Sequence, residues 1–293
     1  MVEATVHMRP PTSRQAVAGV AARLLATRQP TRYHRAVTKY ATAVLGSLLL
    51  SIGLATAAVA GRETTVLFDE GHGQRFLVDQ EEALGLSSLA KLCRDQGLTV
   101  HASKQGIDDL ALADAHGLVI SGAFSPLAPS EVDAIGRFVE RGGALAVMIH
   151  IGPPVVPILD RLGVAISNGV IREHENIIED QPLSFRVRRM KAHDLTMGVE
   201  EFNVYGAWAL INMTLVPTII AETGPMAWVD LNRDEKLNGR DAIQSFGVVV
   251  AGQLGKGRFA VFGDDAIFQN RFLIGGNLVL GKNLARWLAG PTI

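Results

Sequence analysis

From residue 64 onward, short apolar runs alternate with amphipathic stretches that end at glycine. TTVLF (64–68) has the length and β-branched content of a buried strand, and DQEEALGLSSLAKLCRDQG (79–97) reads as a helix stopped by Gly97. LTVHAS (98–103) and GLVISGAF (117–124) are the next two predicted strands. APSEVDAIGRFVERGG (128–143) places Val132, Ile135, Phe138 and Val139 on one helical face, with Ser130 as the expected N-cap and Glu131 and Asp133 in the first turn. It stops at Gly142-Gly143 and leads into ALAVMIHI (144–151), a fourth strand that is apolar almost throughout. Unbroken apolar strands separated by helices predict an α/β fold, mainly a parallel sheet covered by helices on both faces.

Pro153-Pro154 interrupt the alternation, and VVPILDRLGVAIS (155–167) suggests a further helix running into a loop. Residues 167–244 are less regular: LVPTIIAET (215–223) and MAWVDLN (226–232) read as strands with an antiparallel character. FGVVVAGQLGKGRFAVFGDD (246–265) predicts two strands joined by a turn at Gly255-Lys256-Gly257. NLVLGKNLARWLAG (277–290) is a closing helix with Leu278, Leu280, Leu284, Trp287 and Leu288 on its apolar side. The organisation expected is one α/β domain over 61–293, with 167–244 as an irregular, antiparallel extension packed on it.

Residues 1–60 hold seven Lys/Arg and one acid, leaving 21 basic and 28 acidic residues in the rest of the chain. So acidic a body lacks the basic footprint that nucleic acid requires. The basic leader precedes ATAVLGSLLLSIGLATAAVA (41–60), which is free of charge and ends in the small-residue site Ala58-Val59-Ala60 before Gly61. This pattern predicts a cleaved export signal, with an uncleaved membrane anchor over 41–60 as the alternative, and in either case an exported, periplasmic or extracytoplasmic body. The only cysteine, Cys93, falls inside an amphipathic helical pattern, so no disulfide framework is available and the thiol reads as a buried hydrophobe.

Three stretches carry a family resemblance: FDEGHG after the first strand, APSEVDAIGRFVERGGALAVMI, and GRFAVFGDDAIFQN before GNLVLGKNLARWL. Together they resemble the glutamine-amidotransferase-like (class I, flavodoxin-like) superfamily. The nearest branches are uncharacterised exported domains, the auxiliary domains of gliding-type ABC transporters, and ThuA-like proteins. KAHDLTMGVEEFNVYG (191–206) is similar to a His-Pro-Leu-Thr-x-Gly-Val segment of those branches, with Asp194 in place of proline. The resemblance implies a three-layer α/β sandwich. It also implies a cysteine nucleophile on the turn after a strand, and here the sequence departs: that turn reads Ser121-Gly122-Ala123-Phe124-Ser125, while Cys93 lies in a helix. Glutamine hydrolysis is therefore not expected.

In open parallel sheets, ligands bind beyond the carboxyl ends of the strands. Asp69, Glu70 and His72 follow the first strand, Ser121 the third, His150 the fourth, and Asp264 and Asp265 the FAVFG strand. These seven residues form the expected ligand-binding rim. Asp69, His72 and Asp265 are the candidates for acid–base catalysis, and His72 with Asp265 for a metal, because carboxylates and imidazoles tune one another's proton affinity. Capping and turn-bracing by the same residues is the alternative.

A second cluster lies in DLNRDEKLNGRD (230–241), where Asp230, Asn232, Asp234, Asn238 and Asp241 occupy positions 1, 3, 5, 9 and 12 of a calcium-loop pattern. Glu235 at position 6, where glycine belongs, and the shorter Asp241 at position 12 weaken the Ca2+ reading against a plain polar turn. Arg186, Arg188 and Arg189 in FRVRRMK (185–191) read as a solvated strand edge.

The function expected is an exported, non-catalytic ligand-binding or accessory domain beside a transport or envelope system, with an unknown small molecule or envelope protein as partner. A hydrolase using the Asp/His rim and a purely structural partner-binding domain are the alternatives. N-terminal sequencing of secreted material tests the leader: a start at Gly61 is expected, and an intact 41–60 segment supports the anchor instead.

Overall fold

A computed structural model describes residues 63–290, which belong to one compact unit, Arg62–Ile293. The leader and the 41–60 segment lie outside the described residues. Among the described residues, no helix is long and apolar enough to cross a membrane.

Among the described residues, fifteen strands and four α-helices follow in order. The strands are β1 (Thr65–Asp69), β2 (Thr99–Ser103), β3 (Ala115–Ser121), β4 (Ala144–Met148), β5 (Val164–Arg172), β6 (Ile177–Ile178), β7 (Gln181–Val187), β8 (Arg189–Met190), β9 (Phe202–Tyr205), β10 (Trp208–Asn212), β11 (Thr218–Glu222), β12 (Trp228–Val229), β13 (Ala242–Ile243), β14 (Gly247–Leu254) and β15 (Gly257–Phe262). The helices are α1 (Ser87–Asp95), α2 (Pro129–Glu140), α3 (Val156–Arg161) and α4 (Gly275–Ala289).

A 12-stranded sheet runs β13-β12-β5-β10-β14-β15-β4-β3-β1-β2, with β11 and β8 attached through β14. Its β2-β1-β3-β4-β15 portion is parallel. The remaining pairs are antiparallel, so the sheet is mixed and less parallel than the alternation of strands and helices predicts. The reason lies in the connections. β14 and β15 are joined by the two residues Gly255-Lys256, and so short a link permits only an antiparallel pair. From the 167–244 region, β10, β11 and β12 hydrogen-bond into this sheet, while β6, β7 and β9 form a separate three-stranded antiparallel one.

The pleat sends alternate side chains to opposite faces, and two apolar clusters result. Val66 and Phe68 of β1 join Leu89 and Cys93 of α1 and Leu280, Leu284 and Leu288 of α4. Leu67 joins Val132, Ile135 and Phe138 of α2 and Ile158 and Leu159 of α3. The start of α4 sits so close to the chain before β9 that a Cβ on Gly276 would lie 1.6 Å from the Glu201 carbonyl oxygen.

Two expected helix starts differ. The helix expected over 79–97 begins only at Ser87. Asn270 draws residues 80–88 into a turn instead, accepting the Ser88 amide at 2.9 Å and donating to the carbonyls of Gln80 and Glu82 at 3.0 and 2.8 Å. Ser130 is not the cap of α2, because the helix begins one residue earlier with Pro129, a favoured first helical residue. The Glu131 carboxylate reaches back to accept the Ala128 amide at 2.7 Å. The stretch expected as a loop after α3 is β5, a nine-residue strand.

Leu284 is fully buried between α4 and the sheet. Leu284→Ala is expected to cost about 2–5 kcal/mol, read as a lowered urea midpoint at unchanged slope.

Candidate functional site

The carboxyl ends of β1, β3, β4 and β15 share one edge of the parallel block, so the expected rim residues leave the sheet from the same side. They form two centres there. No hydrogen bond or ion pair joins His72 to Asp265, so the acid–base candidates Asp69, His72 and Asp265 do not form one hydrogen-bonded cluster.

The first centre is closed. Asp69 leaves β1 and its carboxylate faces His72 Nδ1 at 2.9 and 2.8 Å, while Glu131 Oε2 lies 3.1 Å from Nε2. Asp69 also accepts from the Gly71 amide at 3.1 Å and from Gln74 Nε2 at 2.6 Å. Glu131 accepts the Ile107 amide at 2.8 Å in addition to that of Ala128. Both ring nitrogens thus donate, which describes an imidazolium held between two carboxylates. The Asp69 hydrogen bond pushes the His72 pKa up to about 9 against the opposing effect of burial, with Glu131 adding to the rise. Burial works to raise the Glu131 pKa, but the Ala128 amide, His72 and the Ile107 amide together hold it below the ordinary value. With His72 only 5% exposed and both nitrogens occupied, it has no nitrogen left for a substrate or a metal. Glu70 stands apart from this clamp and accepts the Val78 amide at 3.1 Å.

The second centre is half open. His150 Nδ1 meets Asp265 Oδ1 at 3.1 Å, and the His150 side chain is 39% exposed while that of Asp265 is 1% exposed. The bond to Asp265 raises the His150 pKa against desolvation, and Asp264 adds to the rise. No protein partner within the described residues occupies His150 Nε2. Phe76 and Phe124 flank the ring at 5.3 and 5.2 Å between centroids. Trp208 Nε1 donates to the His150 carbonyl at 3.1 Å. Arg75 lies over the Phe124 ring at 4.7 Å.

Beneath His150, Asp265 Oδ2 is buried without a partner, and so is Ser121 Oγ. Gly122, at φ +60°, makes room for this carboxylate, since a Cβ there would lie 2.7 Å from Asp265 Oδ2. Asp264 is buried, and its carboxylate accepts the amides of Tyr205 and Ala266. Burial, with the charge of Asp265 beside it, pushes its pKa up to about 7.

Such a histidine can orient a ligand or move a proton at Nε2. Ser121 Oγ is hydrogen-bonded to neither His150 nor any other base, so the arrangement lacks an activated serine. Cys93 is buried in α1, where desolvation pushes its thiol up to about 12. Phe76, Phe124 and Trp208, which contact His150, were not among the sequence candidates. Neither was Glu131, whose position in the first turn of α2 marked it as a dipole partner only.

The 230–241 loop closes on its own backbone. Asp230 accepts the amides of Asp234 and Glu235 at 3.3 and 2.7 Å, and Asp241 those of Leu231 and Asn238 at 3.1 and 2.8 Å. Asn232 and Asn238 donate to Asp234 Oδ2, both at 2.9 Å. Among the described residues, no group of three or more His, Cys, Asp or Glu side chains is placed to hold a metal ion. Arg188 pairs with Glu201 at 2.7 Å and Arg189 with Glu222 at 2.8 Å, while Arg186 Nε lies 3.8 Å from Glu201.

The clamp has a pH signature. The His72 pKa is raised above its unfolded value of 6.5, so its stabilisation is complete below pH 6.5 and is lost as pH rises through about 9. Urea titrations of the wild type are expected to show this component, about 3 kcal/mol, disappearing between pH 6.5 and 9.5. His72→Gln is expected to be less stable at pH 6.5 and to lack that component. A variant with the wild-type pH slope would exclude the imidazolium clamp.

The N-terminal domain of mmIFT52 superposes with a TM-score of 0.63 at 16% identity, over 78% of this chain and 99% of that one. A ThuA-like protein from Bacteroides uniformis superposes with a TM-score of 0.50 at 14% identity, over 80% of this chain and 94% of that one. At these identities the likeness concerns the fold alone. A comparison with curated proteins gives no significant match. A family profile described as domain of unknown function DUF4350 matches residues 78–285, which span α1, the second centre and most of α4, and the chain belongs to that family.

Proposed function

We propose that this protein is an exported, non-catalytic ligand-binding or accessory domain built on the amidotransferase-like three-layer sandwich, and that its ligand meets the mouth around His150. The observation that carries the reading is the contrast between the two histidines. His72 has both nitrogens engaged in a buried clamp, while half-exposed His150 keeps Nε2 free above a buried carboxylate. Phe76 and Phe124 lie against the His150 ring and Trp208 bonds its carbonyl, which puts aromatic surface of the kind common in small-molecule sites beside the imidazole. Two apolar clusters, one with α1 and α4 and one with α2 and α3, support the three-layer architecture. Export, and a place beside a transport or envelope system, rest on the basic leader, the uncharged 41–60 segment and the likeness to exported branches of the superfamily.

A second reading has an observation of its own. An imidazole oriented through Nδ1 by a buried aspartate is arranged as a general base, and water delivered to Nε2 would make the centre hydrolytic. One experiment separates the two. A metabolite panel screened by thermal shift is expected to contain stabilising compounds whose effect is lost in His150→Ala, a surface-side change that leaves the clamp intact. Full retention of the shift in that variant overturns the proposal. Turnover of an ester, amide or glycoside panel, abolished in His150→Ala, establishes the hydrolase instead.

A further inference from the structure

Arg258 opens β15 at the end opposite Asp264 and Asp265. Its side chain leaves the sheet on the α4 side, as do those of Ala260 and Phe262, two and four residues further on. Its guanidinium donates to the Trp287 carbonyl in the last turn of α4 and lies 5.0 Å from the Trp287 ring centre. The Nε–H is buried without a partner. No carboxylate among the described residues lies within ion-pair distance of this cation, although Asp194 acts on it through its field. Desolvation holds its pKa below the ordinary guanidinium value. A half-buried charge with so little compensation is costly unless something else neutralises it.

Three concavities of about 500, 450 and 480 Å³ meet at Arg258. The third lies between the segment after β8, the strands β11 and β14, and the end of α4, and it joins two kinds of wall. Lys191 stands at its rim, and its ammonium makes no hydrogen bond or ion pair with the described residues. Val216, Ile220 and Trp287 supply apolar surface, and Val216 is 58% exposed. Asp194 is the one acid on this wall. His193 adds no charge near neutrality, because burial lowers its pKa and its Nδ1 accepts the Leu195 amide at 3.1 Å. Arg286, in the adjoining concavity, is engaged by the Asn283 side chain, and Arg141, in the other, by Asp109.

We propose that this cavity is a second binding site, separate from the His150 mouth, which takes an anionic group, phosphate or carboxylate, carried on an apolar body. The anion lies between Arg258 and Lys191, and the apolar body lies against Trp287 and Val216. Two cations without carboxylate partners select the charge, and the exposed apolar wall selects what is attached to it.

Calorimetric titration of the full chain at low salt tests this with phenyl phosphate, benzoate, inorganic phosphate and uncharged benzyl alcohol. At least one of the two aromatic anions is expected to bind, and the tighter of them identifies the headgroup. Inorganic phosphate is expected to bind more weakly than phenyl phosphate, and benzyl alcohol not at all. Lys191→Gln, a solvent-facing change that leaves the α4 contact intact, is expected to weaken the anion about tenfold. His150→Ala is expected to leave it unchanged, so failure at one site is distinguishable from failure at the other. Absence of anion binding, equal binding of benzyl alcohol, or unchanged affinity in both Lys191→Gln and Arg258→Gln overturns the proposal.

Discussion

The charge held between Asp69 and Glu131 organises the functional edge of the molecule. A buried imidazolium is tolerated only where opposite charge and hydrogen bonds surround it. Here two carboxylates do so, and backbone amides of Gly71, Ala128 and Ile107 take up their remaining lone pairs. The contact ties three distant pieces together: the loop after β1, the start of α2 and the segment before Ile107. The His72 carbonyl extends the tie by accepting the amides of Phe124 and Ser125, both at 2.9 Å, which sets the turn after β3.

The open centre depends on that tie. Phe76 belongs to the loop that the clamp holds, and Phe124 to the turn that the His72 carbonyl holds. These two rings flank His150. The clamp therefore shapes the mouth without entering it, and residues of the same types take different roles. Asp69–His72 has every polar atom engaged, whereas His150–Asp265 has an open imidazole nitrogen above an unpartnered carboxylate oxygen. Access and hydrogen-bond saturation, more than residue identity, separate the closed pair from the open one.

Arg258 stands in similar contrast to the arginines of the surface ion pairs. Arg137, Arg161, Arg188 and Arg189 all face carboxylates at the surface. Arg258 instead closes the end of α4 on a carbonyl and an aromatic ring, and those contacts satisfy geometry without neutralising charge. The two ends of the parallel strands thus carry opposite demands, a carboxylate lacking a donor at one and a guanidinium lacking an anion at the other.

Runs of consecutive apolar residues made β1, β3, β4, β14 and β15 legible, and a 3.6-residue apolar period did the same for α2 and α4, because burial preferences act residue by residue along the chain. Asp69, His72, His150 and Asp265 were legible as edge residues because they directly follow such strands. Their pairing was not. Glu131 is 59 residues from His72, and Asp265 is 115 from His150, so no local spacing reveals either contact. The late start of α1 belongs with these, since Asn270 reaches residues 80–88 only once the chain has folded. The sequence by itself determined the principal apolar strands and helices and which strand ends carry carboxylates and imidazoles. Only the tertiary structure decided which polar groups are saturated and which stay free, because hydrogen-bond partners are chosen in space after the apolar faces have packed.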